Sequence, residues 1–136
     1  MQIQYSKNCE EHFDMNLFCR TIADEILSSG LYPCGGLRVR ATAQDHAVIA
    51  DAHPHNKFID MVFRIGKGRS DTDKKKTGGA IQATAEKFLG EFLTDGHFML
   101  SLEIVEIDSS LSWKTNSIHK RLKKQEDQIW AYLKIS

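Results

Sequence analysis

The stretch Ile65-Gly66-Lys67-Gly68-Arg69-Ser70-Asp71 decides the fold, because within it the pattern changes from strand to helix. Residues 58–65 before the glycines are rich in aromatic and β-branched side chains, which favours a buried strand. Ser70 is a typical helix N-cap, and the acidic residues behind it suit the positive end of a helix dipole. The helix that follows carries an apolar stripe at helical spacing, formed by Ile81, Ala85, Phe88, Leu89, Phe92 and Leu93. Asp95-Gly96 is expected to end it, and residues 98–107 predict a further strand.

The same order of elements occurs earlier in the chain. An alternating segment, Ile3 to Ser6, predicts a strand, and a helical pattern begins after Asp14, a plausible N-cap, and ends near Gly30. A second strand is expected from Leu37 to about Gln44. Helices between strands favour parallel pairing with right-handed crossovers. The predicted fold is therefore α/β (α+β): a duplicated β-α-β unit forming one four-stranded sheet covered on one face by two helices.

The domain boundaries follow from this duplication. The length of 136 residues fits one domain, spanning 1–136, and is too short for two ordinary ones. The two β-α-β units cover about 1–50 and 57–116. Residues 117–136 predict a helical extension with sparse apolar positions, which suits docking on another surface.

Composition excludes several classes of protein. Eighteen basic and eighteen acidic residues balance, so no surplus of cations predicts a nucleic-acid partner. No apolar run reaches the roughly 20 residues that span a bilayer, and the first residues lack the pattern of a signal peptide. The three cysteines form no CxxC pair, which favours a reducing, cytoplasmic location.

Three arginines are the strongest candidates for a binding site. Arg69 follows a strand end beside a helix N-terminus, where positive potential can hold a carboxylate. Arg38 and Arg40 lie two residues apart on one strand face, and the planar guanidinium suits bidentate carboxylate binding. The simpler alternative is that Arg38 and Arg40 are solvent-facing residues paired with Glu103 or Glu106.

Other polar clusters give weaker signals. His53-Pro54-His55 has no further metal ligand at a suitable sequence spacing, so we expect a solvated loop and no metal site. The remaining histidines are scattered, and no nucleophile-histidine pattern is readable. The Lys74-Lys75-Lys76 run predicts a solvated helix face.

Several blocks in order resemble the 5-carboxymethyl-2-hydroxymuconate Δ-isomerases. The resemblance covers about residues 3 to 120, and the glycine-arginine turn is also similar to that of the related 4-oxalocrotonate tautomerases. The blocks that carry it are Gly30-Leu31-Tyr32-Pro33, Gly36-Leu37-Arg38-Val39-Arg40, Ile65-Gly66-Lys67-Gly68-Arg69-Ser70, Leu102-Glu103-Ile104 and Leu111-Ser112-Trp113-Lys114-Thr115-Asn116-Ser117-Ile118-His119.

The resemblance implies both a fold and a reaction. The fold is the tautomerase type, assembled as a homotrimer. The reaction is a cofactor-free and metal-free proton transfer on a small carboxylated substrate, an unsaturated 2-hydroxymuconate, in the bacterial breakdown of aromatic compounds. By position in the motifs, Arg38 and Arg69 would bind carboxylates and stabilise the developing dienolate charge. Arg40 would support them, and Trp113 stands where the family places an aromatic wall.

The beginning of the chain departs from the family's pattern. The family's general base is an N-terminal proline, whereas here Met1 is followed by Gln2. Alignment of Gln4-Tyr5-Ser6 with the family's first strand leaves the chain about three residues short, so Met1's amine is expected roughly 10 Å from the base position at about 3.3 Å per strand residue. Either a native chain starts upstream with Met-Pro, or the protein lacks this base. In the second case it is an impaired homologue that binds small carboxylates, or a structural, partner-binding trimer.

Overall fold

The computed structural model describes residues 1–135 and contains one mixed four-stranded sheet. The order across the sheet is β2-β1-β3-β4. The outer pairs β1/β2 and β3/β4 are parallel, and the central pair β1/β3 is antiparallel. This confirms the predicted fold class, in which each parallel pair is joined by a crossover helix. The strands are β1 (Gln2–Ser6), β2 (Arg40–Gln44), β3 (Lys57–Ile65) and β4 (Phe98–Glu106).

Both crossover helices begin at the predicted caps. Helix α1 (Met15–Ser28) starts after Asp14, whose carboxylate accepts a hydrogen bond from the Leu17 N–H at 3.0 Å. Helix α2 (Asp71–Leu89) starts after Ser70, whose hydroxyl accepts one from the Asp73 N–H at 3.1 Å. Side-chain acceptors of this kind satisfy amide groups that have no partner within the helix.

The core lies between the two helices and one face of the sheet. Alternate residues of β3 point into it, because successive side chains of a strand face opposite ways. The most buried side chains of the core include Ile3, Phe18, Ile22, Ile26, Ile59, Met61 and Ile81. The opposite face stays exposed at Gln2, Gln4, Arg40, Thr42, Arg64, Met99, Ser101 and Glu103. The sheet therefore has a buried helical side and an open polar side.

Two boundaries differ by more than one residue from the sequence-based expectation. Strand β2 begins at Arg40, since Leu37 still belongs to the turn, with its N–H donating to the Cys34 carbonyl at 3.1 Å. Helix α2 ends at Leu89, before the predicted stop at Asp95-Gly96, because Gly90 has a positive φ of 57°. The chain continues as a 3₁₀ helix, Gly90–Thr94, which keeps the apolar Leu93 against the core.

The predicted C-terminal helix is α3 (Ser117–Ile135), and its beginning is anchored to the turn before β2. Asn116 accepts the His119 N–H at 2.9 Å and donates to the Gly35 carbonyl at 2.8 Å. Beyond this anchor most side chains are exposed, including Ile129 and Trp130. None of the helices in residues 1–135 is apolar over a length that could cross a membrane.

Candidate active site

A cleft of about 560 Å³ lies where β1 begins, at the open side of the sheet. Its floor is formed by residues 1–2 and by Val62 and Arg64 of β3, and one wall is the segment that leads into β2. Residues 112–118, which lead from the end of β4 into the first turn of α3, form the opposite wall. Its volume is in the range of clefts that hold small organic ligands.

The α-amino group of Met1 lies inside this cleft. It donates a hydrogen bond to the Arg38 carbonyl at 2.8 Å, while the Arg40 N–H donates to the Met1 carbonyl at 3.1 Å. The pKa of this amine is lowered from 8.0 to about 6, first by burial and then by the positive charges of Arg40, Arg38 and Arg64 in that order of effect. Both causes disfavour the protonated form. In a chain that starts at Met1, the amine is held by this hydrogen bond, and its lowered pKa favours the unprotonated form near neutral pH.

This position differs from the sequence-based expectation. That expectation placed the Met1 amine roughly 10 Å from the position of the family's base, at about 3.3 Å per strand residue. Strand β1 pairs with β2 so that Gln2 is opposite Arg40, which brings the preceding residue beside Arg38. The sheet register, which the sequence does not show, decides which residue reaches the cleft.

Three arginines surround the amine, and none of them has a carboxylate partner among residues 1–135. Arg38 precedes β2, although the sequence places it within that strand, Arg40 is the first residue of β2, and Arg64 comes from β3. Within residues 1–135 the acidic partners expected for the first two are engaged elsewhere or unpaired, since Glu106 pairs with Lys74 and no ion pair includes Glu103. The planar fork of a guanidinium group without an internal partner suits bidentate binding of a carboxylate.

Sequence reasoning missed Arg64. It is the single exposed position in a strand whose other residues are buried or half-buried, and the signal that could have marked it is a charged side chain near the end of a largely apolar strand. Its place beside the amine depends on the antiparallel β1/β3 pairing, in which Gln2 is opposite Val62. That pairing links the two β-α-β units and has no local sequence signal.

The structure does not bring Arg69 into this group. Its guanidinium donates to the Leu31 carbonyl at 3.2 and 3.0 Å and to the Gly66 carbonyl at 3.2 Å. It also lies 4.2 Å from the centre of the Tyr32 ring, a cation–π distance. These contacts tie the turn before α2 to the loop after α1.

Trp113, for which the resemblance implies an aromatic wall, lines the cleft from the segment between β4 and α3. It is 85% exposed, so within one chain its ring covers little of the cleft. The segment is held by the bond from Asn116 to Gly35. A Cβ added at Gly35 would lie 2.7 Å from the His119 Cα, so the close approach of the two walls requires glycine here.

Residues with metal-ligating geometry lie away from this cleft. Within residues 1–135, the group that could hold an ion is His53, His55 and His97. The sequence predicted a solvated loop at His53-Pro54-His55 because no third ligand is near in the chain. The parallel pairing of β3 and β4 supplies that third ligand, since Lys57 and Phe98 are opposite one another.

The sheet contains two β-α-β units, and an amine lies among arginines at the start of its interior strand β1. These features define a protein of the tautomerase-like α+β class. A family model described as 5-carboxymethyl-2-hydroxymuconate isomerase matches residues 1–122. The chain belongs to the 5-carboxymethyl-2-hydroxymuconate isomerase family.

Individual relatives agree with this family. The chain is 24% identical over 121 residues to the 5-carboxymethyl-2-hydroxymuconate Delta-isomerase of Escherichia coli, covering 89% of this chain and 96% of the relative. It is similar to the crystal structure of a 5-carboxymethyl-2-hydroxymuconate isomerase from Deinococcus radiodurans R1, with a TM-score of 0.82, 30% identity and coverage of 89% and 91%. A second crystal structure, of a 5-carboxymethyl-2-hydroxymuconate delta-isomerase, matches with a TM-score of 0.80, 27% identity and coverage of 89% and 90%.

Proposed function

We propose that this protein is an isomerase that converts 5-carboxymethyl-2-hydroxymuconate, or a similar unsaturated 2-hydroxy dicarboxylate, to its keto isomer without a cofactor. The observation that carries the proposal is the Met1 amine, with its lowered pKa, in one cleft with three arginines that form no ion pair within the described residues 1–135. Family membership supports the same substrate class. We place the reaction in the cytoplasmic breakdown of aromatic compounds by bacteria.

The arginines account for substrate binding. The substrate carries several carboxylates, and Arg38, Arg40 and Arg64 present cations from two sides of the cleft. Because none of them forms an ion pair within residues 1–135, binding does not first break an internal salt bridge. Guanidinium groups aimed at the dienolate also stabilise charge that grows in the transition state. The arginines therefore increase both the affinity for the substrate and the rate of the reaction.

The amine accounts for proton transfer. With a pKa of about 6, about nine-tenths of the amine is unprotonated at pH 7. It accepts the proton of the 2-hydroxyl group, the electron pair spreads along the conjugated chain as a dienolate, and the resulting ammonium returns a proton to carbon. The bond to the Arg38 carbonyl holds the nitrogen while both steps occur. No electrons leave the substrate, so no oxidant or reductant is needed.

Two further residues complete the proposal. Trp113 is proposed to cover the conjugated part of the substrate from the wall of the cleft. The catalytic role that the resemblance implies for Arg69 stays a prediction. Its contacts with Leu31 and Gly66 support a positioning role, because they fix the loop that leads towards the first wall of the cleft.

The decisive experiment blocks the amine. Protein that mass spectrometry shows to start at Met1 is compared with the same protein carrying one added glycine before Met1, and ketonisation is followed by ultraviolet absorbance. We expect kcat/KM to fall by about 100-fold or more, the usual contribution of a general base. Equal rates in the two proteins would contradict the role of the amine.

The same assay separates the remaining alternatives. A dicarboxylate that raises the melting temperature of a protein without turnover would indicate a carboxylate-binding homologue. A chain that natively starts upstream with Met-Pro would owe its turnover to the proline, and its rate would not depend on Met1's amine. Either result would replace the proposed base while leaving the binding role of the arginines to be tested by substitution.

We propose that the protein assembles as a homotrimer. The open face of the sheet exposes Met99 at 52%, and Trp113 at the cleft is 85% exposed, so a neighbouring copy would bury both. Light scattering of the full chain should give three times the chain mass. Deletion of residues 121–136 tests whether α3 contributes, because an unchanged mass would make this helix incidental to assembly.

A further inference from the structure

A second cluster of chemically active side chains lies at the other end of β3 and β4. Ligand atoms of His53, His55 and His97 all lie within 4.8 Å of one another. The rings of His53 and His97 are stacked with centroids 4.2 Å apart, and His55 lies 5.1 Å from His53. The backbone brings them together, because the Lys57 N–H donates to the His97 carbonyl at 2.8 Å where the two strands start.

Asn56 prepares His97 as a ligand. The Asn56 amide nitrogen donates to the Ile49 carbonyl at 3.0 Å and to the Asp51 carboxylate at 2.7 Å, so its oxygen is left as an acceptor. That oxygen lies 3.0 Å from His97 Nδ1, which must therefore carry the ring proton. The lone pair of His97 is then on Nε2. Fixing a ring by a bond to its other nitrogen is the usual support of a metal-ligating histidine.

Two carboxylates lie next to the histidine cluster in the chain and bond to its backbone. Asp51 accepts the His53 N–H at 3.3 Å, and Asp95 accepts the His97 N–H at 2.8 Å. Each acid therefore orients the backbone of one candidate ligand and adds negative potential close to the cluster. A cation held by neutral imidazoles would be partly neutralised by this potential, as in metal sites whose outer groups are acidic.

We propose that His53, His55 and His97 form a binding site for one divalent transition metal ion, with zinc as the best match. Three imidazoles are a common zinc ligand set and leave a fourth position for water. Tetrahedral zinc with bonds of about 2.0–2.1 Å needs ligand nitrogens about 3.3 Å apart, closer than the 4.8 Å within which they lie here. His55 is exposed and can turn inward to close this gap.

Binding requires one local rearrangement. His53 Nδ1 accepts the His55 N–H at 3.1 Å, so this exposed bond must open before the His53 lone pair can reach an ion. The N–H is then free to bond to water. The ion would fasten the loop before β3 to the start of β4. The Lys57-to-Val62 span of β3 is roughly 17 Å at about 3.3 Å per residue, so the site is remote from the Met1 amine and independent of the proposed isomerase activity.

Calorimetric titration with Zn²⁺ tests the proposal on the full, untagged chain. We expect one ion per chain, with an affinity that falls at least about tenfold in His97→Gln and in His55→Asn. His46→Asn, an exposed histidine outside the cluster, is the matched control and should bind like the parent protein. Cys34→Ser, which removes the exposed thiol, should also leave the affinity unchanged.

A second readout guards against misfolding of a variant. Co²⁺ in place of Zn²⁺ should give the visible absorption of a tetrahedral site in the parent and in His46→Asn, and lose it in His55→Asn, whose side chain is exposed and unneeded for the core. No binding by the parent, or equal affinity in parent and His55→Asn proteins with unchanged circular dichroism, would overturn the proposal. A loss of affinity in Cys34→Ser alone would overturn it as well, because the thiol would then be the ligand.

Discussion

The cleft at the start of β1 and the turn before α2 both contain arginine, and they use it in opposite ways. In the turn, Arg69 donates to two backbone carbonyls and lies over the Tyr32 ring. In the cleft, Arg38 and Arg40 have no ion-pair partner within residues 1–135, and they lower the pKa of a nearby amine. Cations that are unsatisfied at a concave surface indicate a ligand, whereas a satisfied arginine stabilises its own surroundings.

Removing a cation from the cleft should have the largest effect. Arg38→Ala and Arg40→Ala should each lower kcat/KM for the muconate by about 100-fold, since each removes a charge that stabilises the transition state. Both side chains are exposed, so the melting temperature should change little. Arg20→Ala on α1, also exposed and outside the cleft, is the matched control. If all three variants lost activity equally, the cleft would have no special role.

A substitution in the wall of the cleft should have the next largest effect, on the stability of the fold. Gly35→Ala places a Cβ 2.7 Å from the His119 Cα, so the start of α3 must move, and we expect a loss of about 1–3 kcal/mol in the free energy of unfolding. The neighbouring Gly36→Ala meets only an ordinary contact of 3.9 Å with Pro33 and serves as the control. Denaturant unfolding compares the two. Equal stability would show that the walls are not closely packed.

A smaller change is expected at the turn. Arg69→Lys keeps the charge but loses the planar fork that reaches Leu31 and Gly66, which should cost about 1 kcal/mol of stability and change kcat/KM by less than about threefold. Stability is measured by thermal unfolding and kcat/KM by the absorbance assay, both on the same sample. Unchanged stability with an activity loss like that of Arg38→Ala would instead establish the catalytic role that the resemblance implies.

The smallest effect concerns stability against pH. The Met1 amine has a pKa of about 6 in the folded chain and an ordinary value of 8.0, so the folded state binds fewer protons between these values. Stability should therefore rise as pH increases from about 6 to 8, by at most about 1 kcal/mol. Comparison with N-acetylated protein isolates this contribution from the histidines. The same rise in acetylated protein would assign it to other groups.

Most of the fold could be predicted from the sequence, because the signals are local. The caps Asp14 and Ser70 and the alternation in β3 locate the helices and strands. The site was only partly predictable, since Arg64 and Met1 reach the cleft through strand pairings that no local pattern records. His97 joins His53 for the same reason. Which residues come together across a sheet depends on the register of its strands, and a local sequence pattern does not show that register.

The pH dependence of kcat/KM tests the central claim most directly, namely that the Met1 amine moves the proton. In protein shown by mass to start at Met1, kcat/KM should rise with pH, reach half its maximum near the amine's pKa of about 6 and then level off, because only the unprotonated amine accepts a proton. N-acetylation should abolish both the rate and this profile. A profile that is flat through this range, or one that survives acetylation, would contradict the account.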